Sequence, residues 1–245
     1  MRVMKSDRSN HRTARHNPTR VTSTMPTNRS SVTKRITLAL FACACASVVA
    51  VARAEAPASV TCGSALKLKH SSTKHFLGSQ QVQYASGSGQ QSVTARSDGS
   101  EDQYWILRGA VGEECERGSA IAHGQTVRLQ HANTRAWLHS HEHRSPLSGQ
   151  NEVSCFGSDE SSDTGDNWIV EIPSGAGAWE RGKKVRFKHA DTGAYLHSHG
   201  LKFGRPIAGH QEVCAAHSSG SNAMWVSAEG VYFSTPEEEA AKDEL

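Results

Sequence analysis

Apolar side chains recur at every second position in short runs along most of the chain between Gly63 and Phe233, as in Val127-Arg128-Leu129-Gln130 and Val185-Arg186-Phe187-Lys188. On an extended strand this alternation points one row at a core and the other at solvent. Each run ends in turn chemistry, such as Asn133-Thr134 or Asp191-Thr192, where a short side chain can bond its own backbone two residues on. No amphipathic pattern with a period of about 3.6 interrupts the region, and abundant Gly and Ser suit loops between short strands. The pattern predicts an all-β region opening repeatedly with hairpins.

One earlier stretch differs. Ile36 to Val51 is an uncharged apolar run of 16 residues, preceded by a lead rich in Arg, Lys, Ser, Thr and Asn. It falls short of the roughly 20 residues of a membrane-spanning helix. It ends in Ala52-Arg53-Ala54, which fits a signal-peptidase site. Residues 1–54 are therefore expected to be a cleaved secretory signal, and Met25 would begin one of ordinary proportions. An organelle transit peptide would account for the basic lead but not for the uncharged run.

The strand-rich region repeats itself three times. GSALKLKHSSTKHFLGS from Gly63, GQTVRLQHANTRAWLHS from Gly124 and GKKVRFKHADTGAYLHS from Gly182 share one ungapped pattern. Gly89, Gly149 and Gly209 each stand four residues before Val93, Val153 and Val213. Trp105, Trp168 and Trp225 follow His70, His131 and His189 by 35, 37 and 36 residues. The period is close to sixty residues, placing repeats at 57–113, 119–175 and 176–233. Three units of four strands can bury their apolar faces in one threefold core, whereas one unit alone cannot. A propeller is the alternative, with unusually few blades.

Charge changes the picture once the signal is set aside. Residues 1–54 hold 10 of the 27 basic residues and one of the 24 acidic ones, which leaves 17 against 23 and turns a formal +3 into −6. Nucleic acid is dropped as a partner, and no membrane insertion is expected. The acidic stretch 234–241 reads as a solvated spacer before Lys242-Asp243-Glu244-Leu245, an endoplasmic-reticulum retrieval signal read by the KDEL receptor. Signal and retrieval sequence together predict a protein of the ER lumen.

These residues resemble MIR repeats, three of which form one β-trefoil. The runs VTCGSALKLKH, LHSHEHRSPLSGQNEVSCFG, KVRFKHADTGAYLHSH, RPIAGHQEV and WVSAEGVYF resemble the stromal cell-derived factor 2 family. The resemblance covers essentially all of the chain after the signal. It implies a soluble ER protein that works in quality control with a J-domain co-chaperone and BiP, within the unfolded protein response, and acts on unfolded secretory proteins. MIR repeats also occur in protein O-mannosyltransferases, which makes the O-mannosylation machinery a further candidate partner. One departure stands out: the family's Leu-His-Ser-His phrase is Leu77-Gly78-Ser79-Gln80 in repeat one.

Candidate chemistry concentrates in the other two copies. On a strand, His139 and His141 share one face, as do His197 and His199. Such a pair could chelate zinc, but a site needs three or four ligands, and no Cys-x-x-Cys or acidic cluster stands at suitable spacing. No metal or cofactor is expected, and a hydrogen-bonding role is favoured. With Trp137 and Tyr195 these histidines form the candidate partner or ligand surface. His70, His131 and His189, with Thr73, Thr134 and Thr192 and the three tryptophans, are read as structural, because reaction chemistry needs a unique constellation rather than three equivalent ones. No Ser/His/Asp set, carboxylate pair or phosphate loop stands out, and no enzyme is expected.

Removing the signal leaves Cys62, Cys115, Cys155 and Cys214 in an oxidising compartment. Cys155 and Cys214 fall one residue apart in repeat register and are expected to pair, leaving Cys62 with Cys115, although four cysteines allow three connectivities. The main functional alternative is a lectin-like trefoil for O-mannosyl or other glycans, with Phe76, Trp137 and Tyr195 stacking on sugar. Burial of those rings in hairpin packing is favoured.

Overall fold

A computed structural model describes residues 59–243; the expected signal over residues 1–54 and the last two retrieval residues, Glu244 and Leu245, lie outside the described residues. Twelve strands make up nearly all of the regular structure among the described residues. They are β1 (Ala65–His70), β2 (Phe76–Gln83), β3 (Gln91–Arg96), β4 (Tyr104–Gly109), β5 (Thr126–His131), β6 (Trp137–Arg144), β7 (Asn151–Phe156), β8 (Trp168–Glu171), β9 (Lys184–His189), β10 (Tyr195–Lys202), β11 (Gln211–Ala216) and β12 (Trp225–Val231). The alternation read from the chain is visible in burial: along β9, Val185, Phe187 and His189 are buried while Lys184, Arg186 and Lys188 are not.

Six strands close a barrel by pairing β1 with β4, β4 with β5, β5 with β8, β8 with β9, β9 with β12, and β12 back with β1. The other six form the hairpins β2–β3, β6–β7 and β10–β11. Cross-pairings of β3 with β7, β7 with β11 and β11 with β3 draw these hairpins into a triangle. The architecture is a β-trefoil, each repeat supplying four strands. Closure satisfies backbone groups that an open sheet would leave along its edges.

The shared residues build the seams between repeats. Trp105, Trp168 and Trp225 are completely buried and donate their indole N–H to the carbonyls of Leu77, Leu138 and Leu196 at 3.0, 2.9 and 2.9 Å. Each pairs across the ladder with the histidine of the next repeat, Trp105 with His131, Trp168 with His189 and Trp225 with His70. Their ring centroids lie 5.1, 4.9 and 5.0 Å apart. Each histidine meets its own turn threonine through Nδ1, at 2.9 Å for His70 and Thr73, 2.8 Å for His131 and Thr134, and 2.9 Å for His189 and Thr192. Each Nε2 sits 2.9 Å from a carbonyl of the preceding repeat, those of Asn222, Asp102 and Gly165 respectively. Because a carbonyl only accepts, the proton resides on Nε2 and the threonine donates to Nδ1. Burial lowers the pKa of all three below the ordinary histidine value, so they are neutral at pH 7.

Two positions explain recurring turn residues. Gly89, Gly149 and Gly209 hold φ of +69°, +70° and +84° in the hairpin loops, a region that side chains disfavour. After each His-x-x-Thr, Lys74, Arg135 and Gly193 take φ of +64°, +62° and +67°; glycine occupies this strained place in repeat three only.

The acidic tail is more than a spacer, since Pro236–Asp243 forms a helix, α1. Thr235 and Glu238 cap it reciprocally, Glu238 N–H reaching Thr235 Oγ1 at 3.3 Å and Thr235 N–H reaching Glu238 Oε2 at 3.0 Å. Threonine, then proline in the first turn, then glutamate three residues on is a start signal legible in the chain. Lys242 and Asp243 of the retrieval sequence lie at its end.

The cysteines divide differently from expectation. Cys62 and Cys115 form a disulfide with Cα atoms 6.0 Å apart, tying the start of β1 to the link after β4. Cys155 and Cys214 are both free and buried, which corrects their expected pairing. The reason is the period of two. Cys155 stands opposite Leu138 in its hairpin, whereas Cys214 stands opposite His197. One residue of offset therefore sends the first thiol into the core and the second to the histidine face.

Candidate functional site

The His-x-His strands β6 and β10 bring their histidines to equivalent places, but each repeat surrounds them with different chemistry. In repeat two, His139 is 7 % exposed and its Nδ1 lies 2.9 Å from Asp166 Oδ1 and 3.6 Å from Asp163 Oδ1. Asp166 is fully buried, and its second oxygen accepts from Ser162 Oγ at 2.7 Å and from Asp163 N–H at 3.0 Å. The ring sits so close to the turn that a Cβ on Gly165 would lie 2.3 Å from His139 Cε1. His141 is half-buried, with Nε2 3.4 Å from Glu152 Oε1. Glu152 is 2 % exposed and is also bonded by the Ser88 hydroxyl of repeat one. Burial alone would raise its pKa, yet the bonds from His141 and Ser88 hold it below the ordinary glutamate value, so it carries its charge inside the protein.

In repeat three, His197 and Cys214 are cross-strand partners, with Nδ1 4.0 Å from Sγ. His199 Nε2 lies 3.9 Å from the same sulfur and 2.8 Å from Oε2 of the fully buried Glu212. Burial, followed by the neighbouring His199 and His70, lowers the His197 pKa to about 4. Burial and the Glu212 charge raise the Cys214 thiol to about 12.

Repeat one has neither histidine, and the structure shows what replaces them. A Cβ on Gly78 would lie 2.8 Å from Gln103 Cγ and 2.9 Å from Asp102 O, so the Gln103 side chain fills the volume that an imidazole takes elsewhere. Gln103, Asp166 and Ala223 occupy one repeat position, two residues before each tryptophan. Ser92, Glu152 and Glu212 occupy another, one residue before each valine anchor. The carboxylates among them are the functional residues that sequence reasoning missed, and repeat alignment of those two columns is the signal that could have found them.

The candidate aromatic positions are covered. Trp137 is 5 % exposed, donates its N–H to Ser158 O at 2.7 Å and has the Arg128 guanidinium 4.2 Å over its ring. Phe76 and Tyr195 are half-buried, with Lys69 and Lys188 at 5.2 and 5.9 Å over their faces. A cation above the ring is favourable packing, and it occupies the face a sugar would stack on. A polar cleft of about 430 Å³ opens instead between repeats two and three, lined among others by His139, His141, Glu142, Asp163, Asp191 and Thr192. A second cleft, of about 460 Å³, is lined by Pro173, Ala176, Ala178 and Trp179 of the segment that joins β8 to β9.

Among the described residues, no helix is long and apolar enough to cross a membrane. The MIR domain family model matches residues 58–176. A stromal cell-derived factor 2-like protein of Arabidopsis thaliana is 48 % identical over 174 residues, 71 % of this chain and 80 % of that protein. Stromal cell-derived factor 2 of Homo sapiens is 44 % identical over 179 residues, 73 % of this chain and 84 % of that protein. Among solved structures, the SDF2-like protein from Arabidopsis thaliana superposes with a TM-score of 0.70 at 47 % identity, covering 73 % of this chain and 99 % of that one. The S. cerevisiae protein O-mannosyltransferase Pmt1–Pmt2 complex bound to the sugar donor matches with a TM-score of 0.65 at 31 % identity, over 74 % of this chain and 26 % of that chain. With a trefoil and relatives 48 % and 44 % identical that it matches over 80 % and 84 % of their length, the chain belongs to the stromal cell-derived factor 2 family.

Proposed function

We propose that the protein is a non-enzymatic quality-control component of the ER lumen, which binds a J-domain co-chaperone and BiP and helps keep unfolded secretory clients soluble. The observation that carries this reading is family membership, with 48 % identity over 174 residues to a relative matched over 80 % of its length. The Lys242-Asp243-Glu244-Leu245 run, which the KDEL receptor would read, supports the compartment. The repeated histidines support a structural rather than catalytic role for themselves, since His70, His131 and His189 spend both ring nitrogens on the seams. Crosslinking and mass spectrometry of the lumenal complex tests it: recovery of the J-domain protein and BiP is expected, and their absence overturns it. An aggregation assay in which this protein with its co-chaperone delays no client would also count against it.

A second reading, recognition of O-mannosyl or other glycans, is favoured by one feature, the polar cleft between repeats two and three. Its carboxylates and histidines suit sugar hydroxyls, and the likeness to the Pmt1–Pmt2 structure makes the O-mannosylation machinery a proposed neighbour. A glycan array without a binder at high protein concentration rejects it.

A further inference from the structure

The hairpin β10–β11 carries His-x-His on one strand facing Glu-x-Cys on the other. By alternation His197, His199, Glu212 and Cys214 all project to one face, and one ring nitrogen each of His197 and His199 lies, with Cys214 Sγ, in a group within 4.8 Å of one another. Tetrahedral zinc, with bonds of about 2.0 Å to nitrogen or oxygen and about 2.3 Å to sulfur, sets neighbouring ligand atoms about 3.3–3.5 Å apart. The observed sulfur–nitrogen distances of 4.0 and 3.9 Å reach that geometry with a few tenths of an ångström of side-chain movement. Glu212 Oε2, 2.8 Å from His199 Nε2, stands beside this group of three rather than in it, which leaves a fourth position for water.

A second observation points to a cation. Glu212 is completely buried, and its Oε2 has one neighbour, His199 Nε2 at 2.8 Å, whose alignment falls short of a hydrogen bond. Its other oxygen is held from repeat two, by Ser145 and by Ser148 Oγ at 3.1 Å. A buried carboxylate with one poorly aligned partner is costly, and a divalent ion held by His199 and Cys214 supplies positive charge beside it.

The other repeats act as internal controls. In repeat two the matching residues are His139, His141, Glu152 and Ser154, where the thiol is absent and Asp166 already holds His139. In repeat one they are Gly78, Gln80, Ser92 and Thr94, which offer no metal ligand set. In repeat three, Ala223 stands where Asp166 would be, leaving His197 Nδ1 facing the sulfur.

We propose that repeat three binds one Zn²⁺ through His197 Nδ1, His199 Nε2 and Cys214 Sγ, beside the buried carboxylate of Glu212 that the repeat-two loop holds. Binding expels the thiol proton to solvent, since the thiolate is the ligand. It also leaves the His199 proton on Nδ1, which gives up the contact from Leu201 N–H, at 3.3 Å already longer than an ordinary hydrogen bond.

The test is titration of the full chain, thiols reduced, with Zn²⁺ against a chromophoric chelator, and with Co²⁺ as a spectroscopic probe. One ion per chain and a thiolate-to-cobalt charge-transfer band are expected. Cys214→Ser should abolish the band, and it and His197→Gln should each weaken Zn²⁺ by at least about tenfold. His141→Gln should leave both readouts unchanged. Serine stands at the matching place in repeat two, so Cys214→Ser is compatible with the hairpin. A measurement without any variant backs it: Zn²⁺ should slow alkylation of Cys214, mapped by peptide, and leave that of Cys155 unaltered. No binding at micromolar Zn²⁺, or binding indifferent to Cys214→Ser and His197→Gln, overturns the proposal.

Discussion

Replacing His131 with alanine tests whether the repeat-seam histidines hold the trefoil together. The ring is completely buried, packs 5.1 Å from Trp105 and bridges Thr134 Oγ1 at 2.8 Å to the Asp102 carbonyl at 2.9 Å. Loss of the packed ring leaves a void costing about 1–2 kcal/mol. The stranded Asp102 carbonyl and Thr134 donor add about 1–2 kcal/mol, because a buried group left without its partner keeps its desolvation penalty. His131→Ala should therefore lower stability by about 3 kcal/mol, or roughly 6–12 °C in Tm for a domain of this size. The same change at His70 and His189 should cost about the same, since both bridge a turn threonine to a preceding carbonyl at like distances. Thermal and denaturant unfolding followed by near-ultraviolet circular dichroism measures it. In a double-mutant cycle, Thr134→Ala should couple to His131→Ala by about 1 kcal/mol, as both remove one bond. Losses below about 1 kcal/mol at all three histidines would refute the reasoning.

The same residues predict acid sensitivity. Folding lowers the pKa of His70, His131 and His189 below 6.5, so the unfolded chain binds more protons than the folded one at pH values under 6.5. Stability is complete above that value and falls below it, by up to about 1.4 kcal/mol per pH unit for each histidine; a denaturation midpoint unchanged between pH 7.5 and 5.5 would contradict this. Gly165→Ala should cost about 1–3 kcal/mol by pressing a methyl against the His139 ring. His139→Gly, the residue repeat one carries, should recover part of that loss, and a purely additive pair in calorimetry would argue against the clash. Thiol counting under denaturing, non-reducing conditions should find Cys155 and Cys214 free and Cys62 joined to Cys115; a peptide linking Cys155 to Cys214 would reject the structure at that point.

What was readable in the chain was whatever depends on local repetition. Alternation in β5 and β9, the His-x-x-Thr turns and the recurring tryptophans are statements about neighbours in sequence, and three copies of them demand one threefold closed core. The sequence by itself thus determined the strands and a threefold closed core, and its resemblance to MIR repeats implied the trefoil. Only the tertiary structure decided what each histidine faces, because strand partners are set by register across a hairpin and between repeats. A single residue of offset sends Cys155 into the core and Cys214 to His197. Asp166 reaches His139 across 27 residues, and Glu212 reaches His199 with serines of another repeat behind it. Aligning the repeats marks the columns in which those carboxylates stand but not that they face the histidines, since a side chain's partners follow from which face it shares and what packs against that face. Trp137 is the converse case: its place in the repeat is legible, but the Arg128 guanidinium that covers it is brought there only by the fold.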